Sequence, residues 1–297
     1  MNPVEPRRKF LQFCGGLTAW ATSAAASRTL LAAPPMVKMQ LGLVTYQWGK
    51  DMELVELLDA CEQSGLLGVE LRTEHRHGVE PQLTPKQRED VRRRFADSPV
   101  ELVGYGSNCE FHSPDPDQLQ ANMELAKSYI QLMHDCGGSG VKVKPNALPP
   151  NRPPEATIEQ IGRALNELGE YGQRYGQKIR VEVHGKETSS LPVIRDIFAV
   201  ADHPNVYVCW NCNPEDLHGD GLEANFAMVK DRLGDTIHVR EMNTDAYPYP
   251  RLMQLLLEMD YAGWVLLEAR TNPPDKVAAM IEQRTLFERL TGRRSGR

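Results

Sequence analysis

The sequence predicts an α/β protein folded as a single (β/α)8 barrel, and three observations predict it. From Lys38 onward, eight short runs of β-branched and apolar residues alternate with stretches whose apolar residues recur three and four positions apart. No shift of composition and no long linker interrupts the region 38–292, so all eight units belong to one domain of the usual barrel size. The loop after the first run reads Tyr46-Gln47-Trp48-Gly49, where an open doubly wound sheet would carry a glycine-rich nucleotide loop.

In chain order, the strands are expected at 39–46, 67–72, 100–105, 140–144, 179–184, 206–211, 237–242 and 264–268. The first helix shows its apolar stripe in Leu54, Leu57, Leu58 and Cys61, and Gly65 closes it. Thr84-Pro85-Lys86-Gln87 is a capping box with proline at the first helical position; the Arg92-Arg93-Arg94 run that follows reads as a solvated face. Pro116 and Pro192 stand where early-helix prolines are tolerated, while Gly137-Gly138 and Gly176 stop helices. Ile158, Ile161, Leu165 and Leu168 give the fourth helix its buried face. Leu252, Met253, Leu255, Leu256 and Leu257 read as core or interface positions of the seventh.

The composition is that of an ordinary globular protein, with 41% hydrophobic and 25% charged residues, which excludes disorder and collagen. A net charge of −6 argues against a nucleic-acid binder, and beyond the amino-terminal segment no apolar run is long enough to span a bilayer. Residues 1–33 read as a twin-arginine signal peptide: Arg7-Arg8-Lys9-Phe10-Leu11, a weakly hydrophobic stretch over 10–26, and a small-residue cleavage site at Ala24-Ala25-Ala26. The expected localisation is therefore periplasmic, by Tat export, with no membrane association after cleavage. The mature chain would hold 30 basic and 39 acidic residues, a net of −9. Beyond Cys14, the cysteines Cys61, Cys109, Cys136, Cys209 and Cys212 are odd in number and irregularly spaced, so no disulfide framework is expected. The lone Cys209-x-x-Cys212 ends a strand instead of opening a helix, which disfavours a redox pair.

Strands of a parallel barrel are normally apolar on both faces, so polar residues in register within them need a reason. By alternation Glu182 and His184 share one face of their strand, as do His238 and Arg240 of theirs, and the valines and isoleucine between them face the helices. Glu70, Arg72, Lys142, Lys144, Asn211 and Glu268 follow the same logic. Converging buried charges require mutual pairing, a metal or a wet cavity. Glu182, His238 and Glu268, with Asn211 as a fourth donor, compose a mixed oxygen and nitrogen site suited to Mn²⁺, Mg²⁺, Co²⁺ or Zn²⁺. An internal ion-pair network through Arg240, Lys142 and Lys144 is the alternative.

Four motifs carry a family resemblance. Val181-Glu182-Val183-His184-Gly185, Val208-Cys209-Trp210-Asn211, Ile237-His238-Val239-Arg240-Glu241 and Leu266-Leu267-Glu268 resemble, in order, the fifth- to eighth-strand motifs of the xylose isomerase-like TIM barrels, the superfamily of sugar isomerases and epimerases. The resemblance runs from Met39 to Leu290. It implies a divalent metal held by Glu182, Asn211, His238 and Glu268, with Glu182 and Glu268 exchanging protons with the substrate. The chain departs from the pattern at Asn211, where the family carries an aspartate, and at Pro214, where a histidine often stands; a neutral amide binds metal less strongly than a carboxylate.

Substrate-binding candidates are His184, Arg240, Arg72, Glu110, His112 and Lys144, with His75 and His77 on the same loops, and Tyr46 and Trp48 either stack on a sugar or cap the core. The expected activity is a divalent-metal-dependent sugar isomerase or epimerase, by α-proton abstraction and a metal-stabilised enediolate. Its partner is a small carbohydrate, and assembly into a homo-oligomer is left open. A 3-keto-glycoside lyase using the same first step and a non-catalytic carbohydrate-binding barrel are the alternatives.

Overall fold

Strands form where β-branched and apolar residues cluster, and a computed structural model describes residues 37–292. The barrel strands are β1 (Gln40–Val44), β2 (Gly68–Arg72), β3 (Glu101–Glu110), β4 (Gly140–Lys144), β5 (Lys178–Glu182), β6 (Val206–Cys209), β7 (Thr236–Val239) and β8 (Trp264–Leu267). The major helices are α1 (Leu54–Ser64), α2 (Pro85–Ala96), α3 (Pro116–Cys136), α4 (Pro154–Arg174), α5 (Leu191–Val200), α6 (Leu222–Val229), α7 (Tyr249–Glu258) and α8 (Lys276–Thr291). All neighbouring strands pair in parallel, in the spatial order β6-β5-β4-β3-β2-β1-β8-β7. Two parallel bridges, Val208 with Leu233 and Asn211 with His238, bring β6 to β7 and nearly close the ring. The signal peptide expected over 1–33 lies outside the described residues.

Local signals behave as their chemistry requires. Thr84 and Gln87 close the capping box of α2, and Gly65 and Gly137 end α1 and α3 in the left-handed region. Arg92, Arg93 and Arg94 are exposed. Leu252, Met253 and Leu256 are buried in α7, whereas Leu257 is exposed.

The outer strand faces, including Val181, Val183, Ile237 and Val239, join the helices in one large apolar core. Inside the ring the apolar part is small: Val44, Val103, Trp264 and Leu266, with Tyr46 against them. The remaining interior is polar, which inverts the usual barrel filling. Glycines on one side make room for it. A Cβ on Gly104 would overlap the Arg180 guanidinium, and one on Gly106 would press on Glu70, Arg72 and Lys142. At the amino-terminal end Arg180, fully buried, donates to both oxygens of Asp235 (2.9 and 3.1 Å) and to the Val103 carbonyl (2.9 Å).

Strand expectations are corrected at β1, which ends at Val44 instead of residue 46, at β3 and at the last four strands. β3 runs on to Glu110 instead of stopping at Tyr105, because Gly106-Ser107-Asn108, turn-like in sequence, is held in an irregular ladder by the Ser107 hydroxyl on the Lys142 carbonyl (2.7 Å). Glu110 is thus a strand residue, not a loop one. The last four strands end earlier than expected; beyond them single contacts replace the ladder, such as the Glu268 N–H on the Val239 carbonyl (2.7 Å).

Candidate active site

The carboxyl ends of β5, β6, β7 and β8 deliver Glu182, Asn211, His238 and Glu268 to one place. Ligand atoms of Glu182, His238 and Glu268 all lie within 4.8 Å of one another, and all three residues are buried. Asn211 donates from Nδ2 to Glu182 Oε1 (3.1 Å), leaving its buried Oδ1 without a hydrogen-bond partner among the described residues.

His238 is held from behind. Its Nε2 lies 3.2 Å from Oε1 of the fully buried Glu70, and its Nδ1 lies 3.8 Å from Glu182 Oε1. Burial alone would depress this imidazole, but Cys209 and the Glu70 and Glu182 carboxylates outweigh it and push the ring well above the usual histidine range. A carboxylate behind one ring nitrogen is the arrangement that aims the other nitrogen at a metal.

Each of the two glutamates also meets a cation. Lys142, fully buried, places Nζ 2.5 Å from Glu182 Oε2. Burial raises the Glu182 carboxyl, but Lys142 and His238 together hold it well below the ordinary carboxylate range. Arg72 donates to Glu268 Oε1 (2.9 Å) and to Asn108 Oδ1 (3.3 Å), with its guanidinium over the Tyr46 ring. Glu268 Oε2 makes no hydrogen bond among the described residues. A buried ion-pair network is therefore present, and it surrounds three residues whose ligand atoms could together hold a metal ion. Its cations are Lys142 and Arg72; Arg240 and Lys144 form no ion pair among the described residues.

The other candidates divide. Lys144 reaches Asn108 Oδ1 (3.2 Å), and burial, then Lys142 beside it, lowers its ammonium to about 8. Among the described residues the Arg240 guanidinium reaches only the Asn213 amide oxygen (3.4 Å). His184 and Glu110 both meet Asn146, the former at 3.1 Å through Nδ1. No hydrogen bond or ion pair joins His112 to the cluster, although its Nδ1 is buried without a hydrogen-bond partner among the described residues. His77 is structural: it bonds the Arg72 carbonyl through Nε2 (2.8 Å) and accepts from the Val79 N–H through Nδ1 (3.0 Å). His75 bonds the Thr45 hydroxyl (3.0 Å), and Trp48 is buried with its indole N–H on the Thr271 carbonyl (3.0 Å), a core residue and not a stacking platform. Cys209 and Cys212 are buried and form no disulfide among the described residues, with burial pushing the Cys212 thiol up.

Sequence reasoning placed Glu70 and Lys142 inside the barrel, gave Glu70 no partner and Lys142 only a place in the alternative ion-pair network, and it missed Asn108 and Asn146. An asparagine one residue beyond Lys144-Pro145, where the chain must leave a strand abruptly, is the one local hint for Asn146.

The donor set fits a divalent cation: two carboxylates, an imidazole nitrogen backed by Glu70, and an orphaned amide oxygen. Comparison with known proteins places the fold. No curated protein matches the chain significantly. Among solved structures, 3-keto-D-glucoside 4-epimerase YcjR from E. coli is similar with a TM-score of 0.71 at 15% identity, covering 85% of this chain and 100% of that one. L-ribulose 3-epimerase has a TM-score of 0.71 at 14% identity (86% and 95% covered), and IOLI protein with a bound zinc atom has 0.70 at 14% (85% and 98%). Residues 58–287 match the family described as xylose isomerase-like TIM barrel, and the chain belongs to that family.

Proposed function

We propose that the chain is a divalent-metal-dependent epimerase or isomerase of a sugar or sugar derivative. One observation carries this reading: two glutamates and a histidine converge at the carboxyl ends of three barrel strands, with an unpartnered amide oxygen beside them. The similarly folded proteins, among them a 3-keto-glucoside epimerase, a ribulose epimerase and a zinc-binding protein, support it.

A divalent cation bound by Glu182, Asn211, His238 and Glu268 would hold neighbouring carbonyl and hydroxyl oxygens and take up the charge that develops when the carbon between them loses its proton. Glu268 accepts that proton through Oε2, the oxygen that Arg72 leaves free. Glu182, on another strand, relays to the reacting carbon a proton that it draws from the Lys142 ammonium on its Oε2; Lys142 is reprotonated from solvent between turnovers. Arg72 fixes the Glu268 carboxylate in one orientation and Lys142 fixes that of Glu182, so neither base rotates away from the reacting carbon. Lys144 and Arg240, both without carboxylate partners, donate to substrate oxygens. The role of the first 33 residues in this reading is Tat export to the periplasm, which favours unphosphorylated substrates.

The test is solvent deuterium exchange into L-ribulose, D-fructose and a 3-keto-D-glucoside, with Mn²⁺, Mg²⁺, Co²⁺ and Zn²⁺ added in turn. Deuterium next to the carbonyl together with an epimeric product is expected. Exchange followed by loss of a glycosidic substituent would identify a lyase. Binding without exchange under every metal would leave a carbohydrate-binding barrel and overturn the proposal.

A further inference from the structure

We propose that Asn146 is a positioning residue that fixes His184 as a hydrogen-bond acceptor toward the substrate, so that this corner of the site selects a free hydroxyl. Asn146 sits just past β4, with φ 74° in the left-handed region that few residues other than glycine and asparagine adopt. Its backbone pairs in parallel with Gly185: the two-residue strands Asn146–Ala147 and Gly185–Lys186 zip the loop after β4 to the loop after β5. Gly185 itself has φ 103°, and a Cβ there would overlap the Asn146 backbone. The contact is therefore built at both ends.

The side chain of Asn146 lies between two partners of fixed character. Glu110 Oε2 receives the Asn146 Nδ2 donor, because a carboxylate only accepts. The Glu110 backbone is itself tied by its N–H to Asn122 Oδ1 (3.1 Å). With Nδ2 committed, Asn146 must turn Oδ1 toward His184, whose Nδ1 is 3.1 Å away. An amide oxygen only accepts, so His184 Nδ1 carries the proton and Nε2 presents a lone pair. Nε2 makes no hydrogen bond among the described residues, and Glu182, two residues earlier on the same strand, ends in the ligand cluster. A substrate group meeting Nε2 has to donate, as a hydroxyl does; a carbonyl oxygen or a phosphate ester at that place finds no donor. Lys144 and Arg240 supply the donors elsewhere in the site.

The inference rests on the proposed sugar chemistry only for what donates to Nε2; the state of the ring is read without turnover. The full protein is labelled with ¹⁵N-histidine, the His184 signals are identified by their loss in His184→Gln, and ring nitrogen shifts are recorded above neutral pH. Protonated Nδ1 with unprotonated Nε2 is expected. In Asn146→Gly, which keeps the left-handed backbone without strain, the proton should redistribute to Nε2. In Glu110→Gln, whose amide presents either an oxygen or an N–H to Asn146, a mixture is expected. Wild-type His184 protonated on Nε2, or a ring unchanged by both substitutions, overturns the inference; should Asn146→Gly not fold, the wild-type and Glu110→Gln spectra decide it. With a turned-over keto-sugar, Asn146→Gly should raise KM about five-fold with little change in kcat, the loss of one hydrogen bond. An unchanged KM would likewise overturn it, whereas absence of any turnover would count against the proposed activity alone.

Discussion

Asn211 and His238 face each other across the closure of the barrel, joined by a parallel backbone bridge in which the His238 N–H meets the Trp210 carbonyl at 2.7 Å. Two donors of the candidate metal site are thus positioned by the contact that closes the ring. Replacing Asn211 by Asp adds a charged oxygen in place of the orphaned amide oxygen without disturbing that bridge. Mn²⁺ affinity, followed by electron paramagnetic resonance titration, should tighten by about tenfold or more, the equivalent of roughly 1.4 kcal/mol. Without metal the new carboxylate repels Glu182, so the melting temperature should fall and recover on adding Mn²⁺. Lower stability with unchanged metal affinity would reduce the cluster to a structural network.

Glu268→Gln and Glu182→Gln should differ, although the sequence makes them look equivalent. Glu268 pairs with Arg72, which also holds Asn108 and the Tyr46 ring, so its amide variant should fold normally and lose about 10²- to 10⁴-fold in proton-exchange rate. Glu182→Gln leaves the Lys142 ammonium buried without its counter-charge. That variant should lose exchange and also up to about 3–5 kcal/mol of stability, measured by denaturant unfolding. Equal stability of the two variants would mean that Lys142 has another partner.

The Arg180–Asp235 pair at the opposite end of the barrel sets an acid limit. Burial raises the Asp235 carboxyl, but Arg180 and Lys178 bring it down from 3.8 to about 2. A carboxyl lowered on folding contributes its stability in full above its unfolded value and loses it as pH falls through the folded one, here between about pH 4 and pH 2. Asp235→Asn should remove that portion of the acid transition and cost about 3–5 kcal/mol at neutral pH, because Arg180 is fully buried. A wild-type acid profile in the variant would contradict the assignment.

Gly185→Ala should separate the two loops above the site. Its positive φ alone costs about 1–3 kcal/mol, and the added methyl overlaps the Asn146 backbone. A lowered melting temperature with faster amide exchange at Ala147 and Lys186 is the expected result; amide protection equal to wild type would contradict it.

Export is tested by changing Arg7 and Arg8 together to Lys. The precursor should then remain in the cytoplasm, as fractionation and immunoblotting would show, and normal export would remove the Tat reading.

Much of the fold was legible because it is written locally. The Thr84–Gln87 box and the glycines after α1 and α3 depend on a few adjacent residues, and two-residue alternation sufficed to put Glu182 and His238 inside. What stayed hidden depends on meetings between distant segments. The partner of Lys142 is set by the register of β4 against β5, and the strand character of Glu110 by an irregular ladder across a turn-like sequence. His77 stood among the substrate-recognition candidates because a sequence does not show the Arg72 carbonyl and Val79 N–H that occupy both its nitrogens. Asn146 needs two loops at once.

The empty volume at Gly104 belongs to Arg180, whose guanidinium lies where a side chain at 104 would be. The two positions, 76 residues apart, therefore cannot drift independently. Across relatives, a side chain at 104 should accompany a shorter residue at 180, and with it the loss of the acid at 235. Inheritance at the floor of the barrel would then act on three sites as one unit, while the rim above, tied to other strand positions, stays free to acquire new substrates.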